Sequence, residues 1–241
     1  MHKGIKIFLL LFLISVGLIF ANKISKNNNL NFITYEVDFK KDKVKLYWKN
    51  DSGQVLKNIG NLKYCTLSKN ENLVFAMNAG MYKIDNSPQG LFIENATLIN
   101  DTDTTKGNGN FYLQPNGVFY INKDESAYIK TTANFKMNTN IKYATQSGPM
   151  HIIENEINTI FNKNSTNLNI RNGVGITAEN KVIFAMSKKE ISFYDFANYF
   201  KTMGCKNALY LDGFVSRAYY PEKNWIQLDG NFGVMIGITR K

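Results

Sequence analysis

Asp212, Ser216 and Arg217 stand within six residues of one another in the run ALYLDGFVSRAYY (208–220). Ala208 to Leu211 are apolar and stop at Asp212-Gly213, the pattern of a buried strand that meets a sharp turn. Asp212 then sits where the sheet ends and a cleft can begin. Gly213 lacks a Cβ, so its backbone can take positive φ and come close to a ligand. A carboxylate, a hydroxyl and a guanidinium this close together suit a polar, anionic substrate. Asp-Gly after an apolar run is commonly no more than a turn. The weight therefore rests on whether other segments repeat the design.

Several do. MNAGMY (77–82), GNFYLQPNGVFYI (109–121), ATQSGPM (144–150) and RNGVGIT (171–177) also join apolar residues to polar ones and glycine. If these strand ends meet, they gather Asn78, Gln146, Arg171, Asp212 and Ser216. Gly80, Ser147, Gly148 and Gly213 lie in the same segments and line the same expected substrate site. Taken singly, Asn78 and Gln146 read as turn and strand-end hydrogen bonders, and Arg171 as a surface arginine. His151 reads as a satisfied or exposed histidine beyond the glycine turn.

Taken in this order, the segments resemble the phosphodiester glycosidase family. The resemblance covers most of the chain after Asn31 and is densest in ATQSGPM, in RNGVGIT and from ISFYDFA to YLDGFVS. It implies an exported α+β hydrolase that cleaves sugar-1-phosphate diesters at the glycosidic bond. Mammalian members remove an N-acetylglucosamine joined through phosphate to another sugar. Phe214 stands where the mammalian pattern has a second glycine.

The chemistry fits the residue types. A phosphodiester carries one negative charge, which the Arg171 fork can bind in two places. N–H groups at Gly80, Gly148 and Gly213 can approach its oxygens. Loss of the phosphate builds positive charge on the anomeric carbon, and a carboxylate can stabilise that charge or activate water. Asp212 is the candidate, with Glu94 or Asp85 as a second carboxylate. Phosphate is a good leaving group, so a separate general acid is not demanded. No metal site is expected, and no cofactor is the first expectation. The alternative, from a different class, is a non-catalytic envelope protein that binds phosphate-containing glycans.

The whole chain sets the bounds. Its 241 residues are 44% apolar and 13% aromatic, with 17 glycines and 4 prolines. That favours strands and tight turns over long helices. The formal net charge of +10 comes mostly from scattered lysines, often beside asparagine. A nucleic-acid footprint needs clustered charge, so no nucleic-acid partner is expected. The expected partner is a sugar-phosphate or glycan substrate.

His2, Lys3 and Lys6 precede an apolar run from Ile7 to Ala21, the form of an export signal. Residues 1–21 are expected to be a cleaved signal or a membrane tether, 22–30 a polar linker and 31–241 the folded domain, periplasmic or at the cell surface. Cys65 and Cys205 lack metal-ligand spacing; a disulfide and two buried thiols both fit.

Between these sites the pattern predicts many short strands and few helices, hence an α+β fold on a mixed or antiparallel sheet. Phe32–Phe39 and Val44–Trp48 read as a hairpin. Residues 54–64 read as a short helix or a loop. Strands are expected at Leu73–Met77, Gly90–Glu94, Ala96–Ile99, Asn110–Leu113, Gly117–Ile121, Ala127–Thr131, Pro149–Ile153 and Phe232–Ile238. Asn116-Gly117 reads as a hairpin turn. Val174–Thr177 and Val182–Met186 read as a second hairpin. Ser192 caps a helix carrying Phe193, Phe196, Ala197, Phe200 and Met203 on one face, and Gly204 stops it.

Overall fold

The computed structural model describes residues 31–211 and 215–240. The expected export run, the linker to residue 30, and Asp212, Gly213 and Phe214 lie outside the described residues. Among the described residues, no helix is long and apolar enough to cross a membrane.

The fold is α+β, with sixteen short strands and two α-helices among the described residues. The strands form three sheets. The first has six strands in the order β1 (Phe32–Glu36), β12 (Val182–Ser187), β11 (Asn172–Thr177), β13 (Cys205–Tyr210), β9 (Met150–Ile153) and β10 (Glu156–Ile157). The second runs β15 (Trp225–Ile226), β14 (Ala218–Tyr220), β3 (Asn72–Asn78), β16 (Met235–Arg240) and β2 (Lys43–Tyr47). The third runs β5 (Thr97–Asn100), β4 (Phe92–Glu94), β8 (Ile141–Ser147), β6 (Gly117–Asn122) and β7 (Ala127–Thr131). Neighbours such as β11 and β13, β3 and β16, and β6 and β8 pair antiparallel.

All three sheets turn one face to a shared core. Val174, Phe184 and Leu209 enter it from the first sheet, Leu46, Phe75 and Ile236 from the second, and Phe92, Phe119 and Ile129 from the third. Helix α1 (Ile59–Leu67) covers the outer face of the second sheet through Ile59, Leu62 and Cys65. Helix α2 (Phe193–Thr202) begins as expected, with Ser192 Oγ accepting from Asp195 N. Gly204 lies beyond it at φ +74°, the left-handed region that ends helices.

Two expected hairpins are absent. β1 and β2 form, but β1 edges the first sheet and β2 edges the second. The connection turns away because Asp42 is buried, at 1% exposure. Its carboxylate accepts from Tyr35 Oη at 2.9 Å, Asp38 N at 2.9 Å and Arg240 Nε at 2.7 Å. That carboxylate anchors the turn to the end of β16 rather than between two paired strands.

Asn110–Tyr112 is a 3₁₀ turn, not a strand. Pro115 lacks the N–H that a continuing ladder would need. Asn116 is buried, its amide donating to Phe111 O at 3.2 Å, and β6 makes its hairpin with β7 instead. The last strand also starts later than expected, at Met235, with Phe232 and Val234 buried ahead of it. The other hairpin, β11 with β12, forms. Cys65 and Cys205 are both buried free thiols.

Candidate active site

The ends of β3, β8 and β13 and the start of β11 meet at one edge of the core. Asn172, at the start of β11, donates its amide to Asn78 Oδ1 at 2.7 Å and to Asn78 O at 3.1 Å. The same Asn78 oxygen accepts from Arg217 N at 3.0 Å. Ser147 ends β8, and its hydroxyl donates to Leu211 O at 3.2 Å. Ser216 Oγ donates to Ile170 O at 3.1 Å. Asn78, Ser147, Asn172 and Ser216 are all buried. These side chains therefore tie the first sheet to the second and third where the strands run out. Leu211 is the last described residue before Asp212.

Arg171 lies one residue away and faces elsewhere. Successive strand residues point to opposite faces. Asn172 and Val174 face the core side, whereas Arg171, Gly173 and Gly175 face α2. Arg171 is fully buried. Its guanidinium donates to Ile191 O at 2.8 Å and to Asn167 O and Oδ1 at 2.9 and 3.2 Å. It lies 3.7 Å over the Phe193 ring. Binding of a substrate phosphate by Arg171 was the expectation; the structure commits that fork to the protein's own carbonyls behind the sheet. Asn172 was overlooked, although the adjacent letter of RNGVGIT carries it.

Gln146 is likewise committed. Its Oε1 accepts from Leu91 N at 3.0 Å and Asp103 N at 2.9 Å, and its Nε2 donates to Asp103 O at 2.7 Å and Thr132 Oγ1 at 3.3 Å. It holds the 101–107 loop onto β8 rather than offering itself to a ligand. Two glycines have packing reasons. A Cβ at Gly80, which sits at φ +129°, would lie 2.5 Å from Thr145 Oγ1. One at Gly148 would lie 2.7 Å from Asn116 Cβ.

Neither suggested second carboxylate joins this group. β4 runs antiparallel to β8, with Ile93 opposite Ala144, so Glu94 lies toward the opposite end of β8 from Ser147. Burial raises the Glu94 carboxyl to about 7, against the Trp48 backbone N–H and the charge of Lys69. Asp85 is exposed, and hydrogen bonds from the Ser87 side chain and backbone hold it below the usual carboxylate range.

His151 departs from expectation too. It is fully buried, ringed by Phe161, Phe193, Phe196, Phe200 and Tyr210 at centroid distances of 5.1–6.1 Å. Neither ring nitrogen has a hydrogen-bond partner among the described residues. Burial first, then the charge of Arg171, pushes its pKa well below the ordinary histidine value. It is a neutral ring behind the sheet, outside the junction.

Arg217 borders the junction, its guanidinium also donating to Ser216 O at 3.0 Å. Its backbone is held by Asn78, and its Nε pairs with both Asp229 oxygens at 2.9–3.0 Å. Its side chain is 31% exposed. No cluster of potential metal ligands occurs among the described residues.

The phosphodiester glycosidase family model matches residues 71–238. The chain belongs to that family. All four junction segments fall inside the match. YigE of Escherichia coli K12, an uncharacterised protein, is 33% identical over 216 residues, which is 89% of this chain and 84% of YigE. The fold is similar to the catalytic domain of zebrafish N-acetylglucosamine-1-phosphodiester alpha-N-acetylglucosaminidase, with TM-score 0.55 and 14% identity, covering 88% of this chain and 89% of that one. A hypothetical protein from Synechocystis also matches, with TM-score 0.52 and 11% identity, covering 87% of this chain and 59% of that one. In this phosphodiester glycosidase family member, Asn78, Ser147, Asn172 and Ser216 meet at the junction, whereas Arg171 and Gln146 are bonded elsewhere.

Proposed function

We propose that this protein hydrolyses sugar-1-phosphate diesters at the glycosidic bond, outside the cytoplasm. The observation that carries the reading is the junction itself, where four segments of a phosphodiester glycosidase chain are cross-tied by Asn78, Ser147 and Asn172. Water adds to the anomeric carbon, the bond from that carbon to the phosphate oxygen breaks, and the sugar leaves as a free hemiacetal. The phosphate departs as a monoester, taking the electron pair, and the proton lost by water ends on the phosphate or in solvent. Asp212 stabilises the positive charge on the sugar or takes the proton from water. Arg217 meets the diester's negative charge, exchanging its exposed partner Asp229 for substrate. Such an exchange is cheap because surface ion pairs are worth only about 0–1 kcal/mol. Asn78 and Asn172 fix the strand ends beside Arg217.

Asp212→Asn keeps size and hydrogen-bonding shape but removes the charge. The expected result is normal folding, retained binding of a sugar-1-phosphate diester, and turnover lowered by about 10²–10⁴-fold. A lowered melting temperature with turnover per folded molecule intact would reduce Asp212 to a turn residue. Binding of the diester by the wild type without any turnover would favour the glycan-binding alternative. The extracytoplasmic location is motivated by Lys3, Lys6 and the apolar run to Ala21. A reporter active only after export, fused beyond residue 30, is expected to be active.

A further inference from the structure

We propose that a cavity at the far end of the core from the junction binds a small phosphate ester that also carries a hydroxyl. The proposal does not depend on hydrolysis at the junction. The cavity measures about 300 Å³, at the lower end of ordinary ligand sites, and lies between β2 and the ends of β6 and β8. β6 and β8 pair Gly117 with Ser147 at the junction and Asn122 with Ile141 at their other ends. Tyr143, in the cavity wall, is four strand steps from Ser147, roughly 13 Å. A small ligand therefore occupies one place or the other, not both.

The local sequence sets the charge of the walls. Residues 40–43 read Lys-Lys-Asp-Lys, and the acid of that run is turned inward, where Asp42 accepts from Tyr35 and Arg240. Lys43 is left exposed at the start of β2, with no carboxylate ion-paired to it among the described residues. Its charge reaches Glu71 only at longer range. Lys142 on β8 is also without an ion-pair partner among the described residues, its ammonium lying 5.6 Å from the Tyr143 ring centroid. Lys45, on the same face of β2 as Lys43, is already held by both Glu71 oxygens at 2.5 and 2.8 Å. Glu125 is the acid on the wall, and it is exposed. With Lys45 set against Glu71, the walls keep two lysines to one glutamate. That excess draws an anion and gives an uncharged ligand nothing.

The remaining groups narrow the anion. Lysine is a compact point charge that meets a phosphate oxygen from any direction. Burial, and then the charges of Glu94 and Glu71, raise the Tyr143 hydroxyl to about 12, so it stays an O–H donor at neutral pH. Asn122 donates its Nδ2 to Ser126 Oγ at 3.1 Å, while its Oδ1 has no partner among the described residues. An acceptor short of a donor calls for a hydroxyl, which a phosphate dianion lacks. Phe39, Val44 and Ile121 give an apolar wall against which a short carbon stem can lie. Anion, hydroxyl and short stem together describe the phosphate ester of a small polyol.

The test titrates inorganic phosphate and glycerol 3-phosphate into the full chain, with sodium chloride holding the ionic strength constant, and reads amide shifts by NMR. Both probes are expected to shift residues 43–45, 122–125 and 142–143. Glycerol 3-phosphate is expected to do so at the lower concentration, because it alone brings hydroxyls and a stem. Lys43→Ala and Lys142→Ala are each expected to weaken its binding there about tenfold, equivalent to about 1.4 kcal/mol. Lys43 is exposed, so its variant keeps the proposal testable should the other fail to fold. Arg217→Ala is expected to leave these shifts unchanged, which separates the cavity from any phosphate held at the junction. Shifts confined to the junction, shifts that sodium chloride alone reproduces, or an affinity unaltered in both lysine variants would overturn the site. Equal affinity for the two probes would overturn the ester as its ligand.

Discussion

The proposed roles of single residues can be tested separately. Arg217→Lys keeps a charge but loses the planar fork, which matters wherever two oxygens are gripped at once. KM for a sugar-phosphate diester is expected to rise about tenfold, the factor set by about 1.4 kcal/mol, with a smaller change in kcat. An equal KM with lysine would remove Arg217 from the phosphate. His151 makes a different prediction, about acid. In the unfolded chain its ring takes a proton below about 6.5. In the folded protein, burial and Arg171 keep it neutral well below that pH. The unfolded state therefore binds the extra proton, and stability is lost as pH falls below 6.5, by about 1.4 kcal/mol per pH unit from this group. His151→Met is expected to flatten that slope in denaturant titrations at pH 7, 6 and 5.

At the scale of elements, α2 and its sheet show what a motif can hide. In RNGVGIT the glycines look like ligand-approach positions. In the structure a Cβ at Gly175 would lie 2.5 Å from Cys205 Sγ and 2.7 Å from Phe200 Cδ1. The glycines let the aromatic face of α2 lie flat on β11. Gly175→Ala is expected to cost about 1–3 kcal/mol by overpacking, read as a lower denaturation midpoint. Ser192→Ala is expected to cost about 1 kcal/mol through loss of the N-cap. Strands with continuous apolar runs, such as β3, β11 and β12, were legible in the sequence, as was α2 with its cap and stop. Pairing was not. Nothing local in residues 32–48 reveals that Asp42 will be claimed by Arg240, far along the chain. The motifs told which strand ends meet, but not which face each side chain takes. Arg171 and Asn172 differ by one step, and strand alternation sends them to opposite sides of the sheet.

The whole molecule is fastened through long-range ties rather than nested local ones. Asp42 joins the turn after β1 to Arg240 at the end of β16, while Arg240 also donates to Tyr35 at 2.9 Å and pairs with Glu222 at 3.2 Å. Asp42→Asn leaves the Arg240 charge without its buried acid. Arg240 is partly exposed and keeps Glu222, so the loss is that of charge-assisted hydrogen bonds, and a fall of about 1.5–3 kcal/mol in unfolding free energy is expected.

The position of β16 has a consequence in time. It is the last strand in sequence among the described residues, yet it lies between β3 and β2 in the second sheet. Until residue 240 is available, β2 has no partner in that sheet and the central seam stays open. A ribosome still holding β16 in its exit tunnel would therefore carry a chain sensitive to protease, and resistance is expected only once β16 has emerged. The latch of the second sheet is thus set by the strand farthest along the described chain.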